Sequence, residues 1–179
     1  ILGVVEPACA AAAAATRNKK VGLIATAASV RSGAYERTLA AMDSTITVYA
    51  RACPLFVPLV ENGRFRPGDT VIETVAREYL TPLRDTGIDT LILGCTHYPL
   101  LTEVIAGVMG SGVTLIDSGA SAARALRQAL DDRGLMAQRE SGTLTLYASD
   151  QPQDFGALAA QFLRRPLEGA VLPVDIERY

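Results

Sequence analysis

The sequence is poor in the residues that build metal centres and disulfide frameworks. It has one histidine and three cysteines among 179 residues. Cys9, Cys53 and Cys95 are widely spaced and form no C-x-x-C pair, so neither a disulfide framework nor a zinc site is expected. The single histidine, His97, excludes a multi-histidine metal site. We therefore expect no bound metal and a reducing compartment, the cytoplasm.

Long apolar runs and runs of like charge are also missing. No apolar stretch approaches the ~18 residues that a membrane span needs, and the alanine-rich stretch 8–15 favours a buried or half-buried helix. The net charge is −2 with no basic face, so nucleic acid is not an expected partner. The chain starts at Ile1 without an initiator methionine or a signal sequence, and we expect it to begin inside a longer protein.

Short apolar runs alternate with helical patterns along the chain. The predicted strands are 21–26, 46–53, 90–95, 113–117 and 143–148, and the predicted helices are 32–42, 70–83 behind an Asp69 cap, 99–109, 120–130 and 155–164. This order predicts an α/β fold with a mostly parallel sheet flanked by helices on both faces. Ligands of such folds bind beyond the carboxyl ends of strands, where Cys95, Thr96 and His97 are expected.

The segment from Gly94 to His97 contains the residues best suited to chemistry. Glycine lets the backbone turn and a ligand approach, and a cysteine just before a helix N-terminus is expected to favour the thiolate. Thr96 offers a hydroxyl and an N–H to a carboxylate, and His97 can share a proton with the thiol. The plainer alternative is that Cys95 is a small buried hydrophobic residue.

Several stretches resemble those of bacterial glutamate racemases, in the aspartate/glutamate racemase superfamily. The stretch L-G-C-T-H-Y-P-L-L at 93–101 resembles the second cysteine motif of that family. Four further stretches match in the same order, at 4–7, 29–35, 52–61 and 115–119. Ordered motifs over most of the chain make the resemblance specific.

The resemblance implies two similar α/β domains that face each other, each with one catalytic cysteine, and no cofactor. One complete domain would span residues 1–112, and residues 113–179 would be the C-terminal part of a second similar domain. The family's first cysteine motif has no match here, so this chain is expected to be inactive alone. The expected substrate is glutamate, a small molecule, with D-glutamate supplied to peptidoglycan. A homodimer is left open. Two other functions are also left open: racemisation of aspartate or another amino acid, and ligand binding by a non-catalytic fragment.

The resemblance also implies roles for individual residues. Cys95 is the base toward L-glutamate and the acid toward D-glutamate, and His97 supports catalysis and substrate binding. Glu61 helps to position the thiol or the substrate ammonium; a solvated loop carboxylate is the alternative. Thr96 and Thr26 are expected to bind substrate.

Five other residues complete the expectations. Ala25, Ala28 and Ser29 depart from the family's glycine and threonine pattern around Thr26, which weakens a direct ligand role for that loop. Cys53 is expected to pack in the core, and Asp117 to cap a helix.

Overall fold

The computed structural model describes residues 1–138 and 141–178. The chain divides into two compact units, Ile1–Met136 and Ala137–Tyr179. All the candidate site residues belong to the first unit. Among the described residues, no helix is long and apolar enough to cross a membrane.

A four-stranded parallel sheet forms the centre of the first unit. Its strands are β1 Lys20–Ala25, β2 Thr47–Ala52, β3 Thr90–Gly94 and β4 Thr114–Asp117. They lie in the order β2-β1-β3-β4, and each neighbouring pair is parallel. The predicted parallel sheet is thus confirmed. Strands buried on both faces consist of nearly continuous apolar residues, which makes β1 and β3 recognisable in the sequence.

Helices cover both faces of this sheet. They are α1 Val5–Ala15, α2 Ala27–Ser32, α3 Ala34–Met42, α4 Phe56–Glu61, α5 Thr70–Arg84, a 3-10 helix Tyr98–Leu101, α6 Thr102–Met109 and α7 Ser118–Asp132. Successive side chains of a strand point to opposite faces. Leu23 accordingly packs in the core with α1 and α3, and Ile24 packs in the core with α4, α5 and α6.

Two caps predicted from the sequence are confirmed. The carboxylate of Asp69 accepts a hydrogen bond from the backbone N–H of Val71 at 2.9 Å, at the start of α5. The carboxylate of Asp117 accepts one from Ala120 at 3.0 Å, at the start of α7. Each satisfies a donor that the first helical turn leaves without an intrahelical partner.

Two helix predictions need correction. The helix predicted over 32–42 is preceded by a further helix, α2, and the two are separated by Gly33 with φ of +62°. The helix predicted to begin at Pro99 starts as the 3-10 helix, and α6 follows only from Thr102.

The second unit contains β5 Tyr147–Ala148, α8 Pro152–Leu163, β6 Leu172–Pro173 and a 3-10 helix Ile176–Arg178. The strand predicted over 143–148 is therefore mostly wrong. A strand requires a hydrogen-bonded neighbour, and only its last two residues pair, with β6. The helix predicted over 155–164 is confirmed, although it begins earlier.

The domain boundary predicted at residue 112 stays a prediction. In this chain, β4 pairs with β3 and the first compact unit continues to Met136. The packing of β4 and α7 in this chain does not assign them to either of the two predicted domains.

Candidate active site

The candidate site lies at the carboxyl edge of the sheet, between β1 and β3. The chain leaves β1 toward β2 on one side and leaves β3 toward β4 on the other, so the strand order reverses between these two strands. Ligands of open α/β sheets bind at such a point. Ala25 and Gly94 are paired at the ends of the two strands, so Thr26 and Cys95 are the residues that follow there.

Three of the predicted catalytic residues form a line. The Cys95 Sγ lies 4.0 Å from His97 Nδ1, and His97 Nε2 lies 3.2 Å from Glu61 Oε1. The histidine side chain is 17% exposed and the glutamate side chain 45% exposed. The line therefore leads from a half-buried thiol to a solvent-facing carboxylate. Cys95 is partly exposed.

The line fixes which nitrogen of His97 faces the thiol. If Nε2 carries the proton, it donates to the Glu61 carboxylate and leaves Nδ1 as an acceptor. Thr96 also reaches this nitrogen, because its Oγ1 lies 3.2 Å from Nδ1. The imidazole can then take a proton from Cys95 or from Thr96, which is the arrangement of a nucleophile or base with an oriented histidine.

The expectation of a thiol already shifted toward thiolate is not supported by the structure. Burial raises the pKa of Cys95, while the backbone N–H of His97 and the hydroxyl and N–H of Thr96 lower it, and the charge of Glu61 raises it again. The net direction is upward. A 3-10 helix follows the cysteine, and the α-helical dipole begins only seven residues on, so its contribution is weak.

The other two cysteines are buried within the cores. Burial raises the pKa of Cys9 to about 11 and that of Cys53 to about 12. Both thiols are fully inaccessible. The expectation that Cys53 serves packing is confirmed, and Cys95 is the described cysteine that solvent reaches.

Glu61 reaches His97 because α4 packs against the 3-10 helix that follows Cys95. The Tyr98 hydroxyl donates to the Cys53 carbonyl at 3.0 Å, which ties the end of β2 to the turn after β3. Phe56 packs edge to face on Tyr98, with ring centroids 5.3 Å apart. The resemblance assigned Glu61 to this site, and the fold brings it there across 36 residues of sequence.

Gly94 is explained by strand packing rather than by the approach of a ligand. A Cβ there would lie 2.9 Å from Leu23 Cδ1, 3.0 Å from the Ile24 carbonyl and 3.2 Å from the Ala25 Cβ. Such distances to a neighbouring strand leave no room for a side chain. The glycine therefore permits β3 to lie close to β1 just before Cys95.

Thr26 lies beside the thiol strand but is engaged with its own helix. Its Oγ1 lies 3.1 Å from Ser29 Oγ and accepts the Ser29 N–H at 3.4 Å, which caps α2. Ser29 stands where the family has threonine, so the hydroxyl is retained at that position. The two hydroxyls are suited to a carboxylate, and their role in substrate binding stays a prediction.

Sequence reasoning did not single out Ser118 and Tyr35 as neighbours of the thiol. The buried Ser118 hydroxyl donates to the Leu93 carbonyl at 2.9 Å. Burial raises the pKa of the Tyr35 phenol, Ser118 lowers it, and the charges of Cys9 and Cys95 raise it. No spacing in the sequence signals these contacts, because they join α3, β3 and α7.

The described residues hold no group of three or more histidine, cysteine, aspartate or glutamate side chains arranged to bind a metal ion. The chemistry available in this part of the chain consists of a thiol, an imidazole, a carboxylate and several hydroxyl and N–H donors. Such a set can move a proton and stabilise a carboxylate.

The family model of Asp/Glu/hydantoin racemases matches residues 1–126. The chain therefore belongs to the Asp/Glu/hydantoin racemase family. Among particular relatives, it is 42% identical to the glutamate racemase of Desulforudis audaxviator over 176 residues, which are 94% of this chain and 63% of that protein.

Solved glutamate racemases share the fold. A glutamate racemase isoform from Bacillus anthracis matches with a TM-score of 0.89 and 34% identity, over 98% of this chain and 64% of that one. The Francisella tularensis enzyme, solved in complex with D-glutamate, matches with a TM-score of 0.88 and 31% identity, over 99% and 65%. The chain thus spans less than two thirds of the length of these relatives.

Proposed function

We propose that these residues form the Cys95-bearing part of a cofactor-independent glutamate racemase, which interconverts L-glutamate and D-glutamate. The observation that carries the proposal is the line from Cys95 through His97 to Glu61, placed at the reversal point of the sheet. A half-buried thiol beside an oriented imidazole can remove a proton from one face of a bound amino acid.

In the proposed step, the Cys95 thiolate takes the α-proton of L-glutamate, so the Cα–H bond breaks and an S–H bond forms. The electron pair passes into the α-carboxylate, which gains enolate character. A protonated group on the opposite face then donates its proton to Cα and becomes the conjugate base, which gives D-glutamate. One acid–base group contributes roughly 10²–10⁴-fold, so hydrogen bonds to the enolate must supply much of the remaining stabilisation.

The thiolate must form before this step, because burial raises the pKa of Cys95. His97 Nδ1 is the group that receives the thiol proton, and the Glu61 carboxylate stabilises the imidazolium that results. Thr96 is exposed next to the thiol and offers its hydroxyl to the substrate carboxylate. Two further hydroxyls come from Thr26, just after β1, and from Ser29 in α2.

The similarity to known glutamate racemases favours glutamate as the substrate over other amino acids. The Desulforudis audaxviator protein is a glutamate racemase, and the Francisella tularensis enzyme was solved with D-glutamate. The family also includes aspartate and hydantoin racemases, so aspartate is the natural comparison substrate. We further propose a cytoplasmic enzyme that supplies D-glutamate to peptidoglycan synthesis.

The test is a racemisation assay on the complete gene product that carries these residues. Optical rotation of L-glutamate should decay to zero, L-aspartate should be a far poorer substrate, and Cys95→Ala should abolish the decay. Decay for L-aspartate alone would move the assignment to an aspartate racemase. Binding of glutamate without any decay would favour a ligand-binding protein instead.

A further inference from the structure

A side chain hydrogen-bonds to the carbonyl of Leu93, at the end of β3. Leu93 is paired with Asp117, the last residue of β4, after which the chain turns into α7. The Ser118 hydroxyl, 7% exposed, donates to this carbonyl at 2.9 Å. Ser118 therefore connects the start of α7 to the end of β3. The bond is made at Leu93, two residues before Cys95.

A second buried hydroxyl group faces Ser118 from α3. The Tyr35 phenol is 4% exposed and interacts with the Ser118 hydroxyl and with the charge of Cys95. Because Ser118 gives its own proton to Leu93, it has lone pairs left for the phenol proton. Linked hydrogen bonds strengthen one another in a buried setting.

The strand end that Ser118 holds determines what surrounds the sulfur. The backbone N–H groups of Thr96 and His97 favour the thiolate of Cys95. These donors lie in the turn directly after β3, so a shift of the strand end would turn them away from the sulfur. Loss of the buried hydrogen bond from Ser118 would favour such a shift.

We propose that Ser118 is a positioning residue for Cys95: its hydroxyl holds the Leu93 carbonyl and so keeps the N–H groups of Thr96 and His97 directed at the sulfur. The inference rests on the proposed function for the role of Cys95. Its test measures the thiol itself and requires no turnover, so the two proposals can fail separately.

The experiment follows iodoacetamide alkylation of each cysteine peptide by mass spectrometry between pH 6 and pH 10, in the complete gene product. Ser118→Ala is compared with Ser121→Ala. Ser121 is similarly buried on the same helix, and its hydroxyl donates to the Asp117 carbonyl at 2.8 Å instead of to β3. The titratable groups around Cys95 are His97, Glu61, Tyr35 and Tyr98, and all remain in both variants.

In Ser118→Ala we expect alkylation of Cys95 near neutral pH to slow by about 3- to 10-fold, the factor that a single hydrogen bond contributes. Cys9 and Cys53 should stay unlabelled. Ser118→Thr, which keeps the hydroxyl, should restore the wild-type profile. A Cys95 profile in Ser118→Ala that matches Ser121→Ala would overturn the proposal.

If Ser118→Ala instead labels Cys9 and Cys53, the substitution has loosened the fold, and Tyr35→Phe becomes the deciding variant. It keeps the buried ring and removes the phenol hydroxyl that interacts with Ser118. Slower alkylation of Cys95 alone in Tyr35→Phe supports the proposal. Alkylation identical to the Ser121→Ala control contradicts it.

Discussion

Cys95 is under two opposing influences. Burial disfavours its thiolate, whereas N–H and hydroxyl groups of Thr96 and His97 favour it. A thiol that is protonated at rest but has an imidazole at 4.0 Å can be activated when needed. A permanently charged thiolate would be more open to oxidation. The balance suits a base that must also act as an acid in the reverse direction.

The His97–Glu61 pair should affect turnover more than binding. In the complete gene product, His97→Ala removes the proton acceptor and should lower kcat roughly 10²-fold. Glu61→Gln should lower kcat less, because its amide oxygen still accepts from Nε2. KM should change little, since both act mainly in the transition state.

Steady-state kinetics of both variants measure the separate effects on kcat and KM. Glu103→Gln, on the exposed surface of α6, is the control. Unchanged kcat in His97→Ala and Glu61→Gln would favour the alternative interpretation of Glu61 as a solvated loop carboxylate. A rise in KM alone would assign the pair to substrate binding.

Asp89 is a second carboxylate with a defined task, at the opposite edge of the sheet. It accepts hydrogen bonds from Thr16 Oγ1 at 2.7 Å, from the N–H groups of Arg17 and Asn18 at 2.7 and 2.8 Å, and from Thr90 Oγ1 at 3.0 Å. Partial burial raises its pKa, but these bonds outweigh burial and hold the pKa at about 2. Asp89 thus joins the α1–β1 loop to the start of β3.

Asp89→Asn should lower the free energy of unfolding by about 1–3 kcal/mol at neutral pH, because the donors of the α1–β1 loop and of Thr90 lose a charged acceptor. The folded pKa lies below the unfolded value of about 3.9, so the unfolded state binds the proton more readily. Stability from Asp89 is therefore full above about pH 4 and is lost as pH falls toward 2.

Urea unfolding between pH 2 and pH 7 measures the dependence, with the exposed Asp85→Asn as the control. The difference between wild type and Asp89→Asn should shrink as pH falls. A difference that stays constant over this range would show that the carboxylate charge is not what stabilises the loop.

At this scale, the sequence predicted the identity of the site better than its charge state. The G-C-T-H motif places a thiol, a hydroxyl and an imidazole in four consecutive residues, so Cys95, Thr96 and His97 could be named directly. The direction of the pKa shift at Cys95 could not be predicted, since it depends on burial against the core formed with α4, α5 and α6 and on the charge of Glu61. Ser118 and Tyr35 were missed for the same reason.

At the scale of elements, apolar runs predicted β1 and β3, and capping side chains predicted where α5 and α7 begin. Helix α2 was missed because its six residues are too few to show a helical period. The left-handed conformation of Gly33 separates it from α3. The strand predicted over 143–148 failed because a strand depends on its neighbour, which no local pattern specifies.

Gly94→Ala tests how closely β3 must approach β1. The new Cβ would lie 3.0 Å from the Ile24 carbonyl, a backbone atom that cannot rotate away. We expect a loss of about 1–3 kcal/mol in the free energy of unfolding, as for other overpacked cores, and lower turnover because Cys95 is displaced.

Gly107→Ala is the matched control, since a Cβ at that position on α6 meets nothing within 4 Å. Alanine should there be neutral or stabilising by up to about 1 kcal/mol. Chemical denaturation of both variants gives the comparison. Equal stability of the two variants would show that the strands have room for a side chain.

At the scale of the whole molecule, Cys95 is the cysteine among the described residues that solvent reaches, and the proposed inversion needs a second proton donor on the opposite face of the substrate. Cys9 and Cys53 are enclosed in separate cores, so neither can reach the face of a substrate opposite Cys95. We therefore predict that this chain, purified alone and incubated with L-glutamate, leaves the optical rotation unchanged. Decay at a rate comparable with that of the complete gene product would show that the second base lies within these residues.

The central claim is that Cys95 removes the α-proton of L-glutamate and that a separate group protonates the other face. Racemisation by the complete gene product in D₂O, sampled early by NMR and mass spectrometry, tests it directly. We predict one α-deuterium in nearly all newly formed D-glutamate, an undeuterated pool of remaining L-glutamate, and no exchange of L-glutamate in Cys95→Ala. Deuterium entering L-glutamate as fast as it enters D-glutamate, or undiminished exchange in Cys95→Ala, would contradict the account.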